Sequence, residues 1–208
     1  MVPERAIVRA LLTAAVAATS GAMTALAPAL AQDPRGFDWI DWQRLDNGEI
    51  LVEARNADER GTATIRVAVA IEAGWLTIWE LITACEISPE FVPHVVACSR
   101  IESTADGDSE LFKQTIKPAF FLPRFEHVFQ LDYFPPERVE VSHVSGPIER
   151  LEGTWQLIER PRGRIALIHE MTVNPAFPVP RFFVRNTLER DLPDVLAEIR
   201  RRAEAAAN

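Results

Sequence analysis

The 208-residue sequence has only two cysteines, Cys85 and Cys98, and four histidines. Neither cysteine has a histidine or second cysteine nearby at metal-ligand spacing, so a zinc-stapled fold is not expected. The familiar nucleophile and nucleotide motifs are missing too: there is no G-x-S-x-G, no glycine-rich phosphate loop and no dinucleotide fingerprint. Any chemistry would therefore need an acid/base pair assembled from separate elements. Basic side chains are outnumbered, 22 against 30 acidic. Such a surface repels phosphate backbones, which argues against a nucleic-acid partner. No repeat or low-complexity linker interrupts the chain, whose length is that of one domain.

What is present begins with an export signal. Arg5 and Arg9 form a basic start, an Ala/Leu/Val-rich run follows without a charge until Asp33, and Ala29-Leu30-Ala31 supplies small residues for cleavage after Ala31. Residues 1–31 are read as a secretory signal peptide, placing the domain in the periplasm or outside the cell. The uncharged run is also long enough to serve as an uncleaved anchor. Cleavage would remove Glu4, Arg5 and Arg9, leaving 20 basic and 29 acidic side chains of the original 22 and 30. An oxidising compartment permits Cys85 and Cys98 to pair, although two buried thiols fit the sequence equally well.

The chain from Asn174 onward reads as a closing helix. Phe183, Val184, Leu188, Leu192, Val195, Leu196 and Ile199 recur at spacings of three and four, with Arg185, Glu189, Arg190, Glu198, Arg201 and Arg202 opposite. Pro193 lies inside this pattern and predicts two segments bent near Leu192, with Asp191 capping the second. Pro175, Pro178 and Pro180 stiffen the approach to the helix and fix Phe177 and Phe182, either as core anchors or as cavity lining.

Everything before that helix reads as short elements. Residues 32–61 form an N-terminal extension packed by Trp39 and Trp42, with a short strand from Gly48 to Arg55. Thr62 to Glu72 alternates as a half-buried strand, and two small helices follow, one over Leu76 to Cys85 and one opening at Ser88-Pro89. Six further strands are expected at Val95–Thr104, Glu110–Lys117, Phe125–Tyr133, Arg138–Val144, Gly153–Glu159 and Arg164–Val173, separated by Gly- and Pro-bearing turns. The expected class is α+β, a curved antiparallel sheet of about seven strands wrapped around the long C-terminal helix. A curved sheet and a straight helix cannot touch along their whole length, so a cavity between them is expected.

This order, with Val92-Pro93 after the second short helix, Gly153-Thr154-Trp155-Gln156-Leu157, and Phe177-Pro178-Val179-Pro180 leading to Val184-Arg185 and Arg190-Asp191-Leu192-Pro193, resembles the START-like, Bet v 1-like superfamily. Within it the sequence looks most like the polyketide cyclase/dehydrase and coenzyme Q-binding branch, over residues 62–206. The resemblance implies a helix-grip fold with an internal apolar cavity for lipids, isoprenoids, quinones or polyketides. It carries no single catalytic signature, and its motifs speak to fold more than to function. Neither a cofactor nor a metal is expected.

Three histidines share strand parity with apolar neighbours: His127 with Phe125, Phe129 and Leu131, His143 with Val139 and Val141, and His169 with Ile165, Leu167 and Met171. They are either buried core rings or polar partners for a ligand, and strand parity alone does not bring them together as a metal site. Glu170 points away from His169 and reads as a surface charge. Pro118-Ala119-Phe120-Phe121-Leu122-Pro123 is unusually apolar for a connection. It either closes the cavity end or forms a gate tip touching a membrane, with Arg124 near a headgroup. Phe120, Phe121, Phe129, Trp155, Phe177, Phe182 and Leu188 are the candidate cavity wall, and His127, His143 and His169 its polar members.

The reading that follows is an exported binder or carrier of a hydrophobic small molecule, in transient contact with membranes. A cyclase- or dehydratase-like enzyme using a cavity histidine is the second reading. A protein-interaction module without a ligand is the third. The sequence leaves the oligomeric state open.

Overall fold

The computed structural model describes residues 36–56, 62–118, 122–176 and 181–207, the side chains of 56 and 181–183 excepted. Residues 1–31, expected to be a signal peptide, and Phe120, Phe121 and Phe177 lie outside these residues, as does the side chain of Phe182. In chain order the elements are α1 (Trp42–Asp46), β1 (Leu51–Asn56), β2 (Ala63–Ile71), α2 (Trp75–Thr83), a 3₁₀ turn (Cys85–Glu90), β3 (Val95–Ser103), β4 (Ser109–Ile116), β5 (Phe125–Phe134), β6 (Arg138–Ser145), β7 (Ile148–Arg160), β8 (Arg164–Pro175) and α3 (Arg181–Ala206).

The eight strands form one antiparallel sheet in the order β1-β2-β8-β7-β6-β5-β4-β3. The strands from β3 to β8 pair with their sequence neighbours because short turns join them. The step from β2 to β3 is longer, and the two helical elements between them let β2 land beside β8 instead. The strand expected within the N-terminal extension joins the sheet as β1, so the sheet holds eight strands rather than about seven.

The α3 helix packs on one face through Leu192, Val195, Leu196, Ile199 and Ala203, against Val67, Val69, Ile71 and Leu167. Burying this stripe is what holds a helix whose isolated propensity would be marginal. Pro193 does not divide it: α3 is assigned as a single helix from Arg181 to Ala206. Leu192 and Val195, buried on either side of the proline, hold the helix on the sheet where one backbone hydrogen bond is lost. Asp191 is consequently inside the helix and caps nothing.

The other face of β2 and β8 is also covered. Phe37, Ile40 and Leu45 of the N-terminal extension lie over Ala68, Ala70, Ala166 and Ile168, whose small or flat side chains admit a second layer. Asp46 locks it there, with Arg160 Nη2 donating to Asp46 Oδ2 at 2.7 Å and Arg164 Nη1 to the Asp46 carbonyl. The Arg160 hydrogen bond holds the Asp46 carboxyl below its usual range. Thus β2, expected to be half-buried, is buried on both faces from Val67 to Ile71.

The second short helical element also differs from expectation. It is 3₁₀, spans Cys85–Glu90 and contains Pro89 near its end. A disulfide between Cys85 and Cys98, with Cα atoms 5.6 Å apart, ties it to β3. Among the described residues no helix is long and apolar enough to cross a membrane.

Candidate functional site

Between the sheet and the N-terminal half of α3 lies a cavity of about 380 Å³. Its roof is Val184, Leu188, Leu192 and Val195 of α3, and its floor is drawn from β4, β5, β7 and β8. One side is the 3₁₀ turn and the segment Phe91–Val95. Pro118, Leu122 and Pro175 lie at its border, next to loops outside the described residues.

Two imidazoles of the sheet, His127 and His169, line this apolar space. His169 on β8 is 5% exposed and stacks on Trp155 of β7, with ring centroids 3.7 Å apart and an interplanar angle of 16°. Its Nδ1 donates to the Thr154 carbonyl at 3.0 Å, since a carbonyl can only accept. Neutral His169 is therefore fixed as the Nδ1–H tautomer with a lone pair on Nε2. Burial lowers its pKa to about 4, so it stays neutral near pH 7.

Gly153 lets β7 come this close to β8. A Cβ there would stand 3.1 Å from the Glu170 carbonyl oxygen and 3.6 Å from His169 Cε1.

His127 on β5 lies against Phe129, with ring centroids 5.5 Å apart. Its Nε2 donates to Gln114 Oε1 of β4 at 3.0 Å, leaving Nδ1 as an acceptor that is buried and without a hydrogen-bond partner. Burial and the nearby His143 lower its pKa to about 4. The β6–β7 turn presses directly behind it: Gly146 has φ +114°, and a Cβ there would stand 2.7 Å from His127 Cα. Only glycine fits this turn.

The candidate residues separate accordingly. His127, Phe129, Trp155, His169 and Leu188 line the cavity. His143 pairs with Phe129 in the ladder but is not part of the lining, and its Nδ1 is buried without a hydrogen-bond partner. Strand parity puts His143 on the same face as Phe129 but could not tell that it is outside the cavity lining. Among the described residues no three His, Cys, Asp or Glu side chains gather as a metal site. Glu170 faces away from the cavity and pairs with Arg66 at 3.0 Å.

One polar pair in the cavity lining escaped the sequence reading. His94, in the turn before β3 with φ +70°, donates from Nε2 to Asp191 Oδ2 of α3 at 3.0 Å, and both residues line the cavity. Lying in a turn, His94 has no periodicity to mark it, and its partner is 97 residues away. The Pro93-His94 pair beside the apolar cavity segment was the only local signal.

The curved antiparallel sheet, the long C-terminal helix laid across it and the apolar cavity between them define a helix-grip domain of the START-like, Bet v 1-like superfamily. The chain belongs to the family described as polyketide cyclase / dehydrase and lipid transport, whose match spans residues 71–200. A search of curated proteins found no match.

Solved structures share the fold at low identity. A STAR-related lipid transfer protein from Xanthomonas axonopodis is 16% identical with a TM-score of 0.64, covering 74% of this chain and 93% of that one. Human StAR-related lipid transfer protein 5 is 13% identical with a TM-score of 0.63, covering 78% and 85%. The Zhui aromatase/cyclase from a Streptomyces species is 15% identical with a TM-score of 0.58, covering 71% and 99%. The coenzyme Q-binding side of the sequence resemblance gains no separate support from these matches.

Proposed function

We propose that this protein is an exported binder or carrier that takes one hydrophobic small molecule, an isoprenoid, a quinone-type molecule or a fatty lipid, into the cavity under α3. The observation that carries the reading is the cavity itself: about 380 Å³ walled almost entirely by aliphatic and aromatic side chains. That volume lies at the lower end of the range of about 300–1,000 Å³ typical of small-molecule pockets. Apolar burial at roughly 25 cal/mol per Å² would drive uptake, and a few polar atoms would fix orientation. Family membership and the lipid-transfer proteins among the structural neighbours support it. The signal-peptide reading of residues 1–31 supports periplasmic or secreted placement, and the Cys85–Cys98 disulfide suits an oxidising compartment.

The test is native mass spectrometry of the mature protein purified from the periplasm, followed by extraction and identification of what it releases. A stoichiometric apolar ligand is expected. Protein that is empty and also fails to take up a neutral apolar dye would overturn the reading.

The second reading, a cyclase- or dehydratase-like enzyme, is favoured by one observation. The His94–Asp191 pair gives the cavity an imidazole held by a carboxylate, the arrangement of a general base. Empty protein that still takes up dye, together with turnover lost in Asp191→Asn, would shift weight to it.

A further inference from the structure

Resting on the carrier reading, we infer that the ligand is a neutral apolar molecule with a hydroxyl group, which donates a hydrogen bond to His169 Nε2. It is therefore an alcohol, phenol or quinol rather than a quinone, ether or carboxylate. The inference starts from the tautomer. His169 Nδ1 is committed to the Thr154 carbonyl, so the only polar atom the ring has left for the cavity is an acceptor. Stacking on Trp155 and the close approach of β7 at Gly153 keep the ring from turning over.

His127 does not add a second such acceptor. Its donor is used on Gln114, and its free nitrogen is buried away from the cavity.

The cavity also has no means of holding an anion. Among the described residues that line it there is no lysine and no arginine, and the one carboxylate, Asp191, is hydrogen-bonded to His94. A carboxylate, sulfate or phosphate group would enter apolar surroundings with no lysine or arginine to pair with. On the β4 side Gln114 supplies the neutral polar group of the lining. A ligand carbonyl could be served there. At the β7–β8 floor it could not, because a carbonyl would meet the His169 lone pair with no proton between them.

The test compares three probes on one skeleton, farnesol, farnesyl methyl ether and farnesoic acid, as competitors of bound Nile red on the mature full-length protein. Farnesol should displace the dye at about one-tenth the concentration the ether needs, the size expected when a buried acceptor gains or lacks its donor. The acid at pH 8 should be weaker still. In His169→Phe, which keeps the stack on Trp155, the alcohol and ether should become equal. His169→Gln can both donate to Thr154 and accept, and it should retain part of the preference.

Equal displacement by alcohol and ether in the unmodified protein would overturn the inference without help from any variant. So would tighter binding of the acid, or a preference that survives in a folded His169→Phe. If Nile red itself does not bind, the carrier reading fails and the selectivity falls with it, an outcome separable from the others.

Discussion

The two halves of α3 lie over the same sheet and do opposite things. Beneath the C-terminal half, Leu196 and Ala203 meet Val67, Val69 and Leu167 with no solvent exposure to speak of, and the N-terminal extension seals the far face of the same strands. Beneath the N-terminal half, Val184, Leu188 and Leu192 face a cavity, and the sheet continues outward to β3, an edge strand exposed along most of its length. One end of the molecule is therefore a filled core that sets stability, and the other is an open grip that sets what can be held. The difference arises from the sheet's curvature, because a straight helix can follow it closely only at one end.

The sharpest way to break this contrast is to place the same charge in each half. Leu196→Asp buries an unpaired carboxylate in the filled core and should abolish folding at neutral pH. Even Leu196→Ala should cost about 2–5 kcal/mol. Leu188→Asp changes a partly buried position that faces the cavity, so the protein should still fold while dye uptake is lost. Urea denaturation and Nile red binding on both variants check this. Equal destabilisation would erase the distinction between the halves.

The next largest effect tests what supports the open half where no helix covers it. The Cys85–Cys98 disulfide joins the 3₁₀ turn to the edge strand β3 across 13 residues. Replacing both cysteines with serine should lower stability by about 3 kcal/mol, the effect expected for closing a loop of that length. If hydrogen exchange then rises in β3 and the 3₁₀ turn but not in β2 and β8, the loss belongs to the open half.

Acid should distinguish the halves in a third way, through His127 and His169. Their pKa values, about 4 in the folded protein, lie below the unfolded value near 6.5. The unfolded chain therefore takes up protons first as pH falls, and stability drops between pH 6.5 and pH 4. Above that window both states are neutral and these groups contribute no slope. At pH 5 each histidine should account for roughly 2 kcal/mol of lost stability relative to pH 7. Urea midpoints at pH 7 and pH 5 should converge by about half in His127→Gln.

What could be read in advance follows the same division. The filled half was legible because its residues carry periods: alternation in Ile65, Val67, Val69 and Ile71, and three-four spacing in Leu192, Val195, Leu196 and Ile199. Turn residues marked most strand limits to within a residue or two. They misled at β7, which begins at Ile148 and not at Gly153, because that glycine marks a close approach to β8 rather than a strand end. A register shift between Ile148 and Arg150 also hid the inward placement of both Ile148 and Leu151.

The open half was less legible because its contacts join residues without a period. Parity could mark His127, His143 and His169 alike, but not which of them join the cavity lining, where His127 and His169 stand and His143 does not. The Pro193 misreading has the same root, since a local rule was outweighed by packing across the sheet.

The smallest effect concerns a bond between α3 and the turn before β3. His94 Nε2 to Asp191 Oδ2 is the described side-chain hydrogen bond that crosses from the turn before β3 to α3 beside the cavity. The pair is partly exposed, 31% for the His94 side chain and 14% for Asp191, so its contribution to global stability should be under about 1 kcal/mol. Its effect on the open half should be larger than on the whole. His94→Asn retains a residue that tolerates the positive φ of this turn while shortening the side chain away from α3. In that variant the urea midpoint should hardly move, whereas Nile red should leave roughly threefold faster in a stopped-flow chase, as expected when a contact of that size is lost from the closed state only. Asp191→Asn should do the same, and the double variant should add nothing further, because each substitution removes the same bond. Faster release in proportion to lost stability would instead make the pair an ordinary surface contact.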